Sequence, residues 1–366
     1  MNFAPPQTAD RTLTPHAPGA SAAGANRVET IETSALDLTL RALRPLLAGD
    51  VTELCINSPG VAYLETSSGW HRETLPFADF DWCRRLAKLV AHATRQRIAE
   101  DAPLLSAWLP SGERIQIVLP PATTAGSVAI TIRKPSEKVW SLEELAARGI
   151  FARTQRATDR LDTGETELLR LFEAGEHEAF VRKAVHERKN IIVSGPTGSG
   201  KTTCTKALIR EIPPEERLIT IEDAKELVLD RHPNHVRLYY SKDNQGLSQV
   251  TPTQLLECCL RMKPDRILLA ELRSEEAYDY IRNVNSGHPG SITSVHAASA
   301  ELAFEQLMLL VKQSRGGQDL SRADIKNLLY LLVDVVIQFG VDHHHRYIRE
   351  IWYDPYRKRR ALAAQA

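Results

Sequence analysis

The chain has 366 residues, 43% of them hydrophobic and 25% charged, which is enough for about two globular domains with apolar cores. Its 46 basic and 46 acidic residues balance, so no broad electrostatic attraction to nucleic acid or lipid is implied. The five cysteines are odd in number and lack C-x-x-C spacing, which counts against a disulfide framework or a zinc site and favours a reducing compartment.

The first 30 residues are rich in Pro, Ala, Gly, Ser and Thr and predict a disordered tail, because such a composition buries too little apolar surface to order itself. They lack the basic-then-apolar order of a signal peptide, and no window approaches the ~18 consecutive apolar residues of a membrane span. We therefore expect a soluble, cytoplasmic protein.

A small α+β domain is predicted over residues 31–136. It contains an amphipathic helix at 35–47 and a second helix at 81–98, with apolar segments bounded by Ser-Pro-Gly and Ser-Ser-Gly turns. The predicted strands are 51–57, 61–66, 70–75, 114–119 and 128–132. Residues 137–160 are interpreted as an interdomain linker, with a short helix that begins at Ser141 and has Glu144 at the capping-box spacing.

The second domain is predicted over residues 161–366. Apolar strands alternate there with helical stretches, which indicates an α/β fold with a mostly parallel sheet and helices on both faces. The predicted strands are 190–194, 217–221, 266–270 and 291–295, followed by a hairpin of 333–341 against 347–353.

The stretch Gly195–Thr203 fits a phosphate-binding P-loop, because Gly195, four free positions, Gly200, Lys201 and Thr202 follow an apolar strand and precede a helix. The glycines let backbone N–H groups converge on phosphates at the helix N-terminus. Lys201 can reach the β and γ oxygens, and Thr202 can ligate Mg²⁺. The predicted nucleotide-binding residues are Gly195, Pro196, Thr197, Gly198, Ser199, Gly200, Lys201, Thr202 and Thr203.

Two acidic residues end later apolar strands. Glu222 follows Leu218–Ile221, and Glu271 follows Ile267–Ala270, at the sheet edge where ligands of α/β proteins bind. Hydrolysis needs a carboxylate to orient water and a group that holds Mg²⁺ against Thr202, directly or through water. Because Ala270 stands where a Walker B strand usually has its Mg²⁺-organising Asp, the division of labour between Glu222 and Glu271 stays open.

Four segments together resemble the signature motifs of the secretion ATPases. They are, in chain order, the P-loop, Thr220–Asp223, Leu268–Arg273 and Gly287–His296, the last of which contains two histidines. Further runs look most like the VirB-eleven traffic ATPases of bacterial type IV secretion systems, namely His232–Leu238, Leu260–Arg273 and Glu350–Asp354. The resemblance covers about residues 35–355.

This resemblance implies an ATPase that uses ATP and Mg²⁺, with a RecA-like C-terminal domain, and that assembles into a ring-shaped homohexamer. It also implies partners at the inner membrane, including further ATPases and channel proteins, and a motor that powers substrate translocation or pilus assembly. Arg114 and Arg133 match family positions that supply positive charge near the γ-phosphate, and His288 would relay that state. Peripheral contact with the membrane is compatible with it, and no sequence-specific contact with nucleic acid is expected.

Three alternatives remain open from the sequence. A type II secretion or type IV pilus ATPase shares the four motifs, although the tetracysteine insertion of the former is absent and Ala270 departs from the Gly usual in retraction ATPases. A helicase or packaging motor would need a basic aromatic groove, which the balanced charge does not favour. A nucleotide sensor without turnover is disfavoured by the intact Lys201, Thr202 and Glu271.

Two short runs near the end of the chain have no place in these motifs. The histidine run 343–345 predicts a solvated hairpin turn. The basic run 357–360 predicts a solvated terminus or a contact with anionic lipid.

Overall fold

The computed structural model describes residues 34–136, 138–154, 160–241, 246–274, 276–285, 287–343 and 345–363. The tail predicted at residues 1–30 lies outside these ranges, as does part of the predicted linker. From residue 35 onward the described residues pack as one compact unit. Within the described residues, no helix combines the length and the apolar character needed to cross a bilayer.

The first half of the chain forms a six-stranded sheet in which every pair is antiparallel, in the order β3-β2-β1-β6-β5-β4. Its strands are β1 (Glu53–Ser58), β2 (Val61–Thr66), β3 (Gly69–Thr74), β4 (Leu104–Trp108), β5 (Arg114–Val118) and β6 (Ala129–Arg133). Alternate residues such as Leu54 and Ile56 point into one apolar core, as the two-residue period of a strand requires. The helix α2 (Phe80–Ala93) covers that core with Leu86 and Val90.

Two predicted helices are shorter than their sequence patterns. The pattern at 35–47 becomes α1 (Ala35–Leu40) and a separate 3-10 helix, Arg44–Leu47, because Pro45 has no N–H to continue an α-helix. The helix predicted to residue 98 ends at Ala93, and Arg95 takes a φ of 53° that leaves the helical region. The strand β4 was not predicted.

The second half of the chain is built on parallel strand pairs: β8 with β9 and β10, and β7 with β11 and β12, while β12 and β13 form an antiparallel hairpin. Hydrogen bonding groups them as β10-β8-β9 and β11-β7-β12-β13. The strands are β7 (Ile191–Ser194), β8 (Leu218–Glu222), β9 (His235–Tyr239), β10 (Arg266–Leu269), β11 (Ile292–Val295), β12 (Val335–Asp342) and β13 (His345–Tyr353). The predicted strands and hairpin are present, whereas β9 was missed.

Helices lie on both sides of these strands, because neighbouring strand residues belong to two different apolar cores. The helices after α2 are α3 (Leu142–Ala147), α4 (Thr163–Glu173), α5 (His177–His186), α6 (Lys201–Arg210), α7 (Pro252–Cys259), α8 (Glu276–Asn285), α9 (Ala300–Gln313), α10 (Arg322–Leu332) and α11 (Pro355–Ala363). Ile192 and Ile219 pack with residues of α7 to α10, whereas Ile191 and Leu218 pack with residues of α4 to α6.

Two of the four residues of the basic run at the C-terminus form ion pairs with buried carboxylates. Lys358 Nζ lies 2.6 Å from Asp334 Oδ1, and Arg359 donates to Glu165 Oε2. The guanidinium of Arg357 stacks 3.4 Å from the ring centroid of Tyr330, and Arg360 lies 3.9 Å from a carboxylate oxygen of Asp354. The solvated terminus expected from the sequence is therefore wrong for Lys358 and Arg359, whereas Arg357 and Arg360 are exposed to solvent.

Candidate active site

The P-loop joins β7 to α6, and its glycines are required by geometry. Gly198 and Gly200 have φ of 75° and 100°, which L side chains rarely adopt. A Cβ at Gly195 would lie 2.8 Å from both Ser199 Oγ and Phe339 Cβ, so a larger residue would clash. The first backbone N–H groups of α6 have no acceptor within the helix, and its dipole adds positive potential there. The loop is therefore suited to hold an anion.

A cleft of about 330 Å³ opens above this loop. Lys201, Thr202 and Glu271, which the sequence predicted to act together, all line it. The full lining is Thr197, Gly198, Gly200, Lys201, Thr202, Thr203, Thr205, Glu226, Leu227, Ala270, Glu271, Arg273, Ser294, His296 and Arg346. Most of these residues follow the ends of β7, β8, β10 and β11, where the carboxyl ends of parallel strands meet, and Arg346 comes from β13.

Lys201 is turned toward the loop itself. Its Nζ donates to the backbone oxygens of Gly195 at 2.9 Å and Pro196 at 3.0 Å. Burial lowers the pKa of the ammonium group, while the carboxylate of Glu271 acts in the opposite direction. The two carbonyl groups are neutral, so they offset only part of the cost of desolvating the ammonium. The remaining positive charge would attract a phosphate that enters the cleft.

Glu271 is held on both sides by polar groups. Its Oε2 accepts from Arg273 Nη2 at 2.5 Å, and Arg273 also reaches Asp223 at 3.4 Å. His296 Nε2 lies 2.7 Å from Glu271 Oε1, while His296 Nδ1 lies 3.2 Å from Lys201 Nζ. The ammonium of Lys201 has only donors, so the Nδ1 atom of His296 can take part in this contact only as an acceptor. His296 thus bridges the lysine of the P-loop and the acid after β10.

Glu222 does not line the cleft, which corrects the expectation that it could orient water. It is fully buried, its Oε1 accepts from Thr220 Oγ1 at 2.6 Å, and it pairs with Arg237 Nη1 at 3.1 Å. Its Oε2 accepts the backbone N–H groups of Glu226 and Leu227, both at 2.9 Å. The loop after β8 therefore folds over this carboxylate and uses all of its accepting capacity near the cleft wall.

The two predicted arginines lie elsewhere in the chain. Arg114 stacks on Trp108 at 4.4 Å from the ring centroid, and Arg133 Nε lies 3.2 Å from Glu53 Oε1. Both face a separate cavity of about 950 Å³ whose lining also includes Lys263. Within one chain, then, neither arginine meets the P-loop, because both belong to the antiparallel sheet.

His288 is also separated from the P-loop. It is half-buried beside Pro264 and Asp265, which immediately precede β10, and burial lowers its pKa. Glu271 follows the same strand, so the two ends are roughly 13 Å apart at ~3.3 Å per residue. The structure therefore does not bring His288 to the cleft, and His296, at the other end of β11, takes the place next to Glu271.

With this geometry in place, comparison with known proteins is decisive for the family. The profile described as "Type II/IV secretion system protein" matches residues 78–338. The chain belongs to this family. The type IV secretion system protein VirB11 of Brucella suis is 48% identical over 338 residues, which cover 91% of this chain and 93% of the relative. VirB11 of Bartonella henselae is 44% identical over 347 residues, which cover 91% and 97%.

A solved structure agrees with the sequence comparison. The crystal structure of the VirB11 ATPase from the Brucella suis type IV secretion system, in complex with sulphate, matches with a TM-score of 0.85 and 48% identity. The match covers 89% of this chain and 100% of that chain. The chain is therefore a secretion ATPase of the VirB11 group with an α/β fold of mixed sheets, which confirms the family and the ATPase activity predicted from the four motifs.

Three basic side chains of the cleft carry no role in the sequence-based predictions: His296, Arg273 and Arg346. The first two lie inside motifs that the sequence displayed, and a stricter rule would have found them. In parallel sheets, residues that face a ligand come directly after the carboxyl end of a strand. His296 comes after β11 and Arg273 after β10, whereas His288 comes before β11. Arg346 has no such local signal, because it reaches the cleft only through the pairing of β12 with β7.

Proposed function

We propose that this chain binds ATP and Mg²⁺ in the P-loop cleft, hydrolyses the γ-phosphate bond, and uses the cycle to drive substrate transfer or pilus assembly at the inner membrane. The observation that carries the proposal is the contact series Lys201, His296 and Glu271 at the mouth of α6. It combines a cation for phosphate, a carboxylate for water and an imidazole that fixes both.

The residues present fit a magnesium ion. Mg²⁺ in nucleotide sites is bound by one or two protein oxygens together with phosphate oxygens and water, rather than by an all-protein cage. Thr202 and Glu271 line the same cleft and offer one hydroxyl and one carboxylate, and no cluster of three metal-ligating side chains occurs among the described residues. When bound, the ion neutralises charge on the phosphates.

The chain's own groups would divide the remaining work. The N–H groups of the P-loop and the first turn of α6 would hold the phosphates, and Lys201 would exchange its carbonyl partners for phosphate oxygens. Glu271 would accept a hydrogen bond from the attacking water. His296 would keep Glu271 oriented and carry the presence of phosphate at Lys201 to it. That the Brucella suis relative crystallised with sulphate supports an anion-binding role for this fold.

We assign Arg114 and Arg133 to a nucleotide held by an adjoining subunit of a homohexamer with RecA-like cores. Both arginines face an open cavity, and the side chain of Arg133 is 57% exposed despite its contact with Glu53. Neither lines the P-loop cleft of its own chain. An arginine supplied across an interface stabilises transition-state charge and contributes ~10³-fold or more in rate in other phosphoryl-transfer enzymes.

The test is Lys201→Ala, assayed by phosphate release from ATP with the purified protein. We expect turnover to fall at least a hundredfold, because the cation on the β and γ oxygens is lost. Lys206→Ala is the matched control, since Lys206 lies on the same helix but does not line the cleft. Turnover by Lys201→Ala at the wild-type rate would refute the assignment. Light scattering with and without ATP tests the hexamer.

A further inference from the structure

Three cations line the P-loop cleft, and their partners differ. Lys201 donates to carbonyl oxygens of the loop, and Arg273 pairs with Glu271 and Asp223. Arg346 is exposed to solvent at the cleft, and no carboxylate among the described residues pairs with it. A cation that lines a concave site without a counter-charge is available to bind an anion that enters the site.

The fold places Arg346 against the loop itself. The strand β12 runs parallel to β7, with Gln338 opposite Ser194, the last residue before the loop. The hairpin therefore continues past the loop and returns as β13, where Arg346 pairs with Val341. Arg346 Cδ lies 3.5 Å from the point where a Cβ of Gly200 would stand. Its aliphatic stem thus rests beside the residue that precedes the first turn of α6.

Strand order separates Arg346 from the groups that would handle water. In the sheet β11-β7-β12-β13, His296 follows β11 on one side of β7, and Arg346 is the second residue of β13 on the other. Glu271 lies on the same side as His296, with its Oε1 atom 2.7 Å from His296 Nε2. Arg346 consequently approaches the P-loop from the flank opposite the acid, where it can act on bound phosphates without contacting the attacking water.

We propose that Arg346 binds the phosphate chain of the nucleotide held by the P-loop of its own subunit, as a second cation besides Lys201. The inference deepens the proposed function and rests on it. A guanidinium suits this task because its planar fork matches two phosphate oxygens, and it stays charged at every physiological pH. Its contribution is to the affinity for the nucleotide, ADP included, rather than to the γ-phosphate step.

The experiment compares Arg346→Gln with the wild type by titration with ADP and Mg²⁺. We expect ADP to bind about tenfold more weakly, the scale of one charge-assisted hydrogen bond. Arg346→Lys should recover part of the loss, because it keeps the charge without the fork. Arg349→Gln is the matched control: it removes the same group from the same exposed strand and does not line the cleft. In turnover assays KM for ATP should rise while kcat changes less than twofold.

Three results would overturn the proposal. The first is ADP affinity of Arg346→Gln equal to that of the wild type. The second is a loss of kcat with ADP affinity intact, which would place Arg346 in the γ-phosphate step. The third is an equal loss of affinity for adenosine, which would mean contact with the base instead of the phosphates. A wild-type protein that does not hydrolyse ATP would instead refute the proposed function, and that outcome is read independently of the Arg346 variants.

Discussion

We expect Glu222→Ala to lower the free energy of unfolding rather than to remove activity from a folded enzyme. The carboxylate is fully buried and accepts from Thr220, Glu226 and Leu227, while Arg237 pairs with it. The side chain of Arg237 is only 10% exposed, so it would keep a buried charge without its partner. Removal of one member of a buried ion pair costs about 3–5 kcal/mol, and two orphaned N–H groups act in the same direction.

Urea unfolding followed by circular dichroism measures this effect, and the unfolding midpoint of Glu222→Ala should fall clearly below that of the wild type. Glu271→Gln is the contrasting variant: it should keep its free energy of unfolding within ~1 kcal/mol of the wild type and lose turnover by a hundredfold or more. The double variant with Arg237→Ala should be less destabilised than the sum of the two single variants, because the second substitution removes the unpaired charge. A Glu222→Ala protein with wild-type stability and no ATPase activity would refute the structural role.

Two further predictions concern a pH dependence and a bridging residue. Burial raises the pKa of Glu53 from 4.5 to about 7, although Arg133 opposes the shift, so the native state holds this proton more tightly than the unfolded chain does. Stability from this group is fully present below pH ~4.5 and is lost as pH rises to ~7, by up to ~3 kcal/mol; Glu53→Gln should flatten the curve of unfolding free energy against pH in that window. His296→Asn should lower ATP turnover at least tenfold with ADP affinity nearly unchanged; turnover at the wild-type rate would show that the bridge to Glu271 is dispensable.

The P-loop could be predicted from sequence because its requirements are local. Glycines at fixed positions, a preceding strand and a following helix are all visible within about fifteen residues, and the structure has Gly198 and Gly200 at positive φ as that loop needs. The strands β4 and β9 escaped prediction because their own residues carry little signal. β9 is a short run that alternates half-buried and buried residues, and its pairing with β8 is not visible in that run.

Glu222 and Glu271 illustrate where sequence reasoning stops. Both stand at the end of an apolar strand, so their positions in the sequence do not show which of them is the catalytic acid. What separates them is the path of the chain afterwards: the loop after β8 turns back over Glu222 with two N–H groups, whereas Glu271 lies beyond the end of β10 and faces the cleft. No residue pattern announces that difference, because it depends on which loop covers which strand end.

The partner of Glu222, Arg237, is also hydrogen-bonded to a loop of the antiparallel sheet of the first half of the chain. Thr123 Oγ1 of the loop between β5 and β6 donates to Arg237 O at 2.9 Å, so that loop is bonded to β9. Arg237 in turn holds Glu222 and donates to Leu227 O at 2.9 Å, and Leu227 lines the cleft. A continuous set of hydrogen bonds therefore links the antiparallel sheet to the wall of the nucleotide site. Because an unpaired buried charge is costly, we expect this set to resist partial rearrangement, and we expect motion of the sheet relative to β9 to be transmitted to the cleft wall. Glu222, which does not line the cleft, thus lies on the path of hydrogen bonds through which we expect the two halves of the chain to be coupled.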